Sequence, residues 1–187
     1  MASALDDRHH GGVPILFLIV GLPGAGKTRL AHQLAAEHQA LRLTPDEWMI
    51  PLFGEPEGDG RRDVLEGRLL WLALEAATLG TSVVLDFGFW SRDERTAVRA
   101  IASEHGVAAR VHYLPIDRET QIARIAERLN CAPETTFPMT AADLDAFAST
   151  FEVPTLDELN DGPLDLPPTG GSWRAWATVQ WPSFSAS

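Results

Sequence analysis

The feature that most constrains this chain is a glycine-rich loop between an apolar segment and an amphipathic one. Residues 21–28, GLPGAGKT, match the phosphate-binding pattern G-x-x-x-x-G-K-[ST] at every fixed position. Residues 13–20, VPILFLIV, are typical of a buried parallel strand, and residues 29–38, RLAHQLAAEH, are typical of a helix. A strand, a glycine-rich loop and a helix in this order form a site for phosphate groups. The sequence therefore predicts that the chain binds a nucleoside triphosphate.

Phosphate chemistry explains the residue types of this loop. Glycines allow backbone conformations that a side chain would block, so that successive N–H groups can turn towards the β-phosphate. Lys27 is expected to contact the β- and γ-phosphates, and Thr28 to offer its hydroxyl to Mg²⁺ near the positive end of the helix. The residues predicted to bind the nucleotide are Gly21, Gly24, Ala25, Gly26, Lys27 and Thr28.

Two alternatives for the loop are weaker. A glycine-rich turn with a surface lysine would not need every fixed position of the pattern. A dinucleotide-binding loop would carry a further glycine at position 29, where Arg29 stands.

Composition limits the class of protein. The 187 residues, 45% of them hydrophobic, favour a single domain over residues 13–187 after a flexible lead-in at residues 1–12. The net charge of −11 and the single lysine, Lys27, disfavour a nucleic-acid partner. No segment approaches the roughly 20 apolar residues of a membrane span, and the N-terminus lacks the order of a secretory signal. With Cys131 as its one cysteine, the protein is expected to be cytoplasmic; its oligomeric state is left open.

The rest of the chain alternates strands and helices. Strands are predicted at 41–43, 82–86 and 109–114, helices at 45–50, 62–79, 92–105, 118–129 and 141–150, and loops at 54–60 and 132–139. The C-terminal segment 160–187 is less regular, with a turn-rich connector at 160–171 and a final strand predicted at 173–181. This order favours an α/β fold with a parallel, doubly wound sheet and a ligand beyond the carboxyl ends of its strands.

Two carboxylates follow predicted strands and fall at that end of the sheet. Asp46 lies in the first turn of the helix after the second strand, and Asp86 ends the third strand. Phosphoryl transfer to a hydroxyl needs one carboxylate that orients or deprotonates the acceptor and another near Mg²⁺ or its waters. Each residue also has a structural alternative, because acids are common in first helical turns and at caps.

Arginines and aromatic residues complete the predicted site. Arg124 and Arg128 lie one helical turn apart, and Arg92 and Arg95 follow Asp86 closely, so that at least two arginines could stabilise the γ-phosphate. Solvated surface arginines paired with nearby glutamates are the alternative. The aromatic residues expected to flank the acceptor are Trp48, Phe53, Phe87, Phe89 and Trp90. An antibiotic, a nucleoside or a sugar would fit such a pocket, although these rings could equally pack helices onto the sheet.

Four segments together resemble a known family. They are the loop at 21–28, LTPDEW at 43–48, VVLDFGFW at 83–90 with the two following arginines, and RIAERLN at 124–130. They look like the small P-loop kinases, which include AAA-type kinases grouped with chloramphenicol phosphotransferase, zeta toxin and the kinase domain of polynucleotide kinase. The resemblance covers about residues 13–152.

The resemblance implies more than the residues show alone. It implies a three-layer P-loop NTPase fold with a five-stranded parallel sheet in the adenylate-kinase arrangement. It also implies that Asp46 is the acceptor-side base, that Arg124 and Arg128 belong to a mobile lid at about residues 118–140, and that Arg128 lies near the adenine.

Together these observations predict an ATP- and Mg²⁺-dependent phosphotransferase that acts on a hydroxyl group of a small molecule. If that molecule is an antibiotic, the enzyme would confer resistance to it. The predicted catalytic residues are Lys27, Asp46, Arg124 and Arg128, the metal ligands Thr28 and Asp86, and the acceptor-binding residues Asp46, Trp48, Phe89, Trp90, Arg92 and Arg95. Two alternatives stay open, a polynucleotide- or tRNA-directed 5′-hydroxyl kinase and a non-catalytic nucleotide switch.

Overall fold

The computed structural model describes residues 13–54, 60–131, 139–168 and 170–184. In chain order the elements are β1 (Ile15–Val20), α1 (Lys27–Glu37), β2 (Leu41–Leu43), α2 (Pro45–Phe53), α3 (Arg61–Thr78), β3 (Val83–Gly88), α4 (Arg92–Glu104), β4 (Ala108–Tyr113), α5 (Arg118–Cys131), α6 (Ala141–Thr150), α7 (Leu156–Leu159) and α8 (Trp173–Gln180). The predicted lead-in at 1–12 and most of the loops predicted at 54–60 and 132–139 lie outside the described residues.

The strands form a parallel sheet in the order β2-β3-β1-β4. Leu18 of β1 pairs with Leu85 of β3 on one side and with Val111 of β4 on the other. Alternate residues of β1 face opposite layers, because Leu16 and Leu18 pack with α3 and α4 while Phe17 and Ile19 pack against α1. The predicted three-layer α/β class is therefore confirmed.

The five-stranded sheet implied by the resemblance is wrong for the part of the chain that is described, where the sheet has four strands. After β4 this part of the chain forms α5, α6, α7 and α8 without another strand, and α7 packs beside β4. The order of the four strands still brings the carboxyl ends of β2, β3 and β1 next to one another, where the ligand site is expected.

The strand predicted at 173–181 is also wrong, since this segment forms the helix α8. Trp173, Ala177 and Trp181 are buried and recur every four residues, which is a helical period rather than a strand period. The hydroxyl of Ser172 accepts a hydrogen bond from the backbone N–H of Ala175 and so caps the first turn.

The C-terminal segment from α8 to Phe184 is part of the main hydrophobic core. Trp181 and Phe184 are almost completely buried. At Gly67 of α3 the approach is so close that an added Cβ would lie 2.6 Å from the Ser183 hydroxyl and 2.8 Å from the Phe184 nitrogen. The segment therefore rests directly on α3, the helix whose first turns reach the candidate site.

Candidate active site

The glycine-rich loop joins the carboxyl end of β1 to the N-terminus of α1. Gly26 caps α1 with a φ of 94°, a left-handed conformation that favours glycine. Gly21 approaches the chain after β4 so closely that a Cβ there would lie 2.9 Å from the Leu114 carbonyl oxygen. Local geometry thus requires glycine at two of the fixed positions and leaves the N-terminus of α1 facing the crevice.

Lys27 lies between this loop and two carboxylates. Its ammonium group donates a hydrogen bond to the Leu22 carbonyl at 3.1 Å. Burial lowers the pKa of Lys27, although the nearby carboxylates of Asp86 and Asp46 act in the opposite direction. The structure therefore brings the predicted phosphate-binding lysine and both predicted acids into one electrostatic cluster.

Asp86 lies near the carboxyl end of β3, which continues two residues beyond the predicted end to Gly88, and it is only 5% exposed. Burial raises the pKa of this carboxyl, while the Lys27 ammonium and a hydrogen bond from the Thr28 hydroxyl oppose the shift. On its other side, Arg42 of β2 has Nη1 at 3.7 Å from Asp86 Oδ2. Neither of these two buried atoms has a hydrogen-bond partner among the described residues.

This arrangement fits a magnesium ion bound together with phosphates. The Thr28 hydroxyl and the Asp86 carboxylate are adjacent hard oxygen donors, and Asp86 Oδ2 is a buried acceptor that receives no hydrogen bond from the described residues. Within the described ranges, no group of three or more His, Cys, Asp or Glu residues could hold a metal by itself. Mg²⁺ commonly uses one or two protein ligands and completes its shell with substrate phosphates and water.

Asp46 lies in the first turn of α2, behind Pro45, and its side chain is 74% exposed. Arg62 of α3 donates from Nη1 to Asp46 Oδ1 at 2.8 Å and from Nε to Glu66 Oε1 at 3.0 Å. The sequence reasoning missed Arg62 and Glu66. Their i,i+4 spacing predicts a pair on α3, but no local signal shows that α3 reaches Asp46.

Helix α5, the predicted lid, packs against the glycine-rich loop. Arg124 donates from Nη1 to the Gly24 carbonyl at 3.2 Å, and the buried Gln121 donates from Nε2 to the Pro23 carbonyl at 3.0 Å. Arg128 is near enough to Lys27 that its charge contributes to the lowered pKa of the lysine. Arg124 thus contacts the loop, and Arg128 lies within electrostatic range of Lys27. Gln121 was missed because its side chain carries no charge or pattern that indicates a site.

The other two predicted arginines do not line this crevice in the same way. Arg95 has no exposed surface, and its guanidinium binds Glu158 of α7 at 2.6 Å and the Phe89 carbonyl at 3.0 Å. Arg92 is partly exposed and pairs with Asp165 at 2.7 Å. The expectation that Arg95 faces an acceptor does not fit this geometry, because Arg95 lies on the inward face of α4.

The aromatic residues divide between core and surface. Phe89 is buried and stacks on Phe87 with ring centroids 5.3 Å apart, and Trp90 packs against Phe147 at 5.0 Å. Phe53 is partly buried, whereas Trp48 is 41% exposed beside Asp46 on α2. Trp48 is therefore the aromatic side chain of this set with the most surface available to an acceptor.

The buried ion pair between Arg95 and Glu158 is expected to matter for stability. Glu158→Gln should lower the free energy of unfolding by about 3 kcal/mol, because it leaves the Arg95 charge buried without its counterion. Burial raises the pKa of Glu158, but hydrogen bonds from Arg95 and Thr155 outweigh it and hold the pKa below its usual range. The contribution is thus complete above the ordinary glutamate pKa and is lost as the pH falls through the lower, folded value.

Urea unfolding of both proteins between neutral and acid pH measures this effect. Asp157→Asn, at the exposed neighbouring acid, is the matched control and should change stability by less than about 0.5 kcal/mol. Equal losses in the two variants would show that the buried pair has no special weight.

Comparison with known proteins agrees with this fold. Residues 16–154 match the family model of an AAA domain, AAA_33. Because the match spans most of the chain, the chain belongs to this AAA domain family, and the prediction of a small P-loop kinase is confirmed at the level of family and fold. No curated protein matches the chain.

Three solved structures illustrate the shared fold. Kti12 from Chaetomium thermophilum, in complex with ADP-AlF3, is 16% identical with a TM-score of 0.62, covering 91% of this chain and 100% of its own. A gluconokinase from Sinorhizobium meliloti 1021 is 18% identical with a TM-score of 0.53, covering 79% and 80%. The protein APE1195 is 23% identical with a TM-score of 0.55, covering 90% and 93%.

In the described part of this chain, none of the helices has the length and apolar character of a membrane crossing.

Proposed function

We propose that the chain is an ATP- and Mg²⁺-dependent phosphotransferase that acts on a hydroxyl group of a small molecule in the cytoplasm. The observation that carries this proposal is the convergence of Lys27, Asp86 and Asp46 at the glycine-rich loop. A phosphate-binding lysine, a buried carboxylate beside a loop hydroxyl and an exposed carboxylate are the protein groups that phosphoryl transfer to an alcohol needs.

The groups divide the reaction between them. The loop amides and Lys27 would hold the β- and γ-phosphates. Thr28 and Asp86 would hold the metal, which would supply positive charge against the phosphate oxygens. Asp46 accepts the proton of the acceptor hydroxyl as its oxygen bonds to the γ-phosphorus. The bond from the γ-phosphorus to the β,γ-bridging oxygen breaks, and ADP leaves. Arg124 and Arg128 offset the charge that spreads over the transferred group.

The acceptor would enter beside Asp46 and Trp48. Trp48 offers a partly exposed ring to an apolar or ring-shaped acceptor, while Asp46 keeps most of its surface open to solvent. The fold shared with a gluconokinase supports a sugar-like acceptor, and an antibiotic or a nucleoside satisfies the same chemistry. The net charge of −11 counts against the alternative of a polynucleotide acceptor.

Mass spectrometry of reaction mixtures tests the proposal. The purified protein, ATP and Mg²⁺ are incubated with sugars, sugar acids, nucleosides, aminoglycosides, other hydroxyl-bearing antibiotics and a 5′-hydroxyl oligonucleotide, with and without a chelator of Mg²⁺. We expect one small molecule to gain a phosphoryl group, and only in the reactions without the chelator. Labelling of the oligonucleotide alone would favour a polynucleotide kinase, and ATP binding without any transfer would favour a nucleotide switch.

A further inference from the structure

A continuous set of polar contacts runs from the C-terminal segment to Asp46. The indole N–H of Trp181 donates to Glu66 Oε2 at 3.3 Å. Glu66 Oε1 accepts from Nε of Arg62 at 3.0 Å, and Nη1 of Arg62 donates to Asp46 Oδ1 at 2.8 Å. These four side chains come from α2, α3 and the residue after α8, so the contacts link three separate parts of the fold.

Asp46 needs such support because of where it lies. Its side chain is 74% exposed, and a short exposed side chain on a first helical turn otherwise samples several rotamers. A reacting group must be held within about 0.5 Å of its productive position. Among the described contacts, Arg62 binds Oδ1, which leaves Oδ2 for an acceptor hydroxyl.

Arg62 is in turn held in place by Glu66, one helical turn further along α3. The side chain of Arg62 is 31% exposed. Its Nε pairs with the carboxylate of Glu66, and its Nη1 pairs with the carboxylate of Asp46. Burial acts to lower the pKa of Arg62, but the charges of Glu66 and Asp46 outweigh burial and raise it. The guanidinium therefore stays charged and bridges the two carboxylates.

We infer that Arg62 and Glu66 are positioning residues for Asp46, and that the C-terminal segment serves the site by holding Glu66 through the indole N–H of Trp181. The inference rests on the proposed role of Asp46 as the base. It gives the C-terminal segment, which the sequence predicts as a strand and the structure shows as α8, a role in the site. The close packing of Ser183 and Phe184 on Gly67 holds Trp181 beside α3, where its indole N–H reaches Glu66.

The charge of Glu66 gives a direct way to observe the contacts. Burial raises the pKa of Glu66 to about 7. The charged groups that face it are Arg62 and Asp63 from α3 and Glu94 from α4, with the Trp181 indole as hydrogen-bond donor from the C-terminal segment. Asp46 lies on the far side of Arg62. Protonation of Glu66 near neutral pH should therefore be visible at the Trp181 indole and should respond to changes at Asp46.

The first experiment follows the indole N–H signals by NMR as the pH is varied, without nucleotide or acceptor. The Trp181 signal is assigned by its loss in Trp181→Phe and should titrate near pH 7, a response that Glu66→Gln abolishes. Asp46→Asn should lower the midpoint by about half a pH unit or more, because it removes a negative charge and leaves Arg62 to Glu66 alone. Arg62→Gln should raise it.

The internal control is the indole of Trp173, which donates to the backbone carbonyl of Asp165 at 2.8 Å and should not titrate in this range. A Trp181 midpoint that neither Asp46→Asn nor Arg62→Gln moves would overturn the inference, whatever the chain catalyses. This outcome is distinct from failure of the proposed function, which would appear as the absence of transfer to every acceptor in the panel.

The second experiment measures transfer to the acceptor that the panel identifies. Trp181→Phe keeps an aromatic side chain but removes the N–H donor together with the five-membered part of the indole. It should lower kcat about tenfold with the KM for ATP unchanged, because Asp46 loses its fixed position. Arg62→Lys should retain more activity than Arg62→Gln. Trp173→Phe removes the same kind of donor from the same segment and should leave kcat unchanged. A wild-type kcat in Trp181→Phe would overturn the positioning role even if the NMR coupling is present.

Discussion

Replacement of Lys27 with alanine is expected to lower kcat/KM for phosphoryl transfer by about a thousandfold, the largest effect of any single change in this chain. The ammonium of this partly buried side chain donates to the loop carbonyl of Leu22 and lies near the carboxylates of Asp86 and Asp46. Charge interactions in such an environment are screened less than at the surface. The substitution therefore removes the cation that the loop presents to the γ-phosphate.

Steady-state kinetics and equilibrium binding of ATP measure this change. The matched control is Arg29→Ala, which removes an exposed cation from the same first turn of α1 and should alter kcat/KM by less than about twofold. Weaker ATP binding with an unchanged kcat in Lys27→Ala would contradict the expected role, because it would show that the lysine binds ground state and transition state equally.

The sequence sufficed for the parts of the site that depend on local patterns. The loop pattern places Lys27 and Thr28 where the glycine-rich loop joins α1, since the spacing and the strand and helix around it leave little choice. Asp86 could be placed because it follows the apolar part of a strand that ends two residues later, and the carboxyl ends of parallel strands meet at one edge of the sheet. The roles of these residues stay predictions until transfer is measured, but their position was predictable.

The sequence did not suffice where position depends on which face of a helix turns inward. Arg95 follows Asp86 closely in sequence, but the capping box of Ser91 and Glu94 sets the start of α4 so that Arg95 points into the core, towards Glu158. Residues 173–181 contain three tryptophans, a residue type common in strands, and this preference favours a strand although the buried positions recur with a helical period. The docking of this segment on Gly67 depends on tertiary packing that no local pattern contains.

Asp46→Asn is the second large effect and is expected to lower kcat about a hundredfold or more, with the KM for ATP nearly unchanged. The amide keeps the shape of the side chain but cannot accept the proton of the acceptor hydroxyl. It also weakens the bond from Arg62 to Oδ1, since one partner loses its charge. Binding of ATP should persist, because Lys27 and the loop amides hold the phosphates independently of this carboxylate.

Two variants separate the chemistry of Asp46 from its charge. Asp63→Asn removes another exposed acid from a first helical turn, that of α3, and should leave kcat within about twofold of wild type. Asp46→Glu retains a carboxylate but extends it by one methylene, so it should recover part of kcat if the group acts as a base. If Asp46→Glu is as inactive as Asp46→Asn while Arg62→Gln is fully active, the position of the carboxylate is set by something other than Arg62. If Asp46→Asn and Asp46→Glu are both fully active, Asp46 does not accept the proton of the acceptor hydroxyl. The reaction then depends on the phosphate loop, the metal ligands and the lid arginines alone.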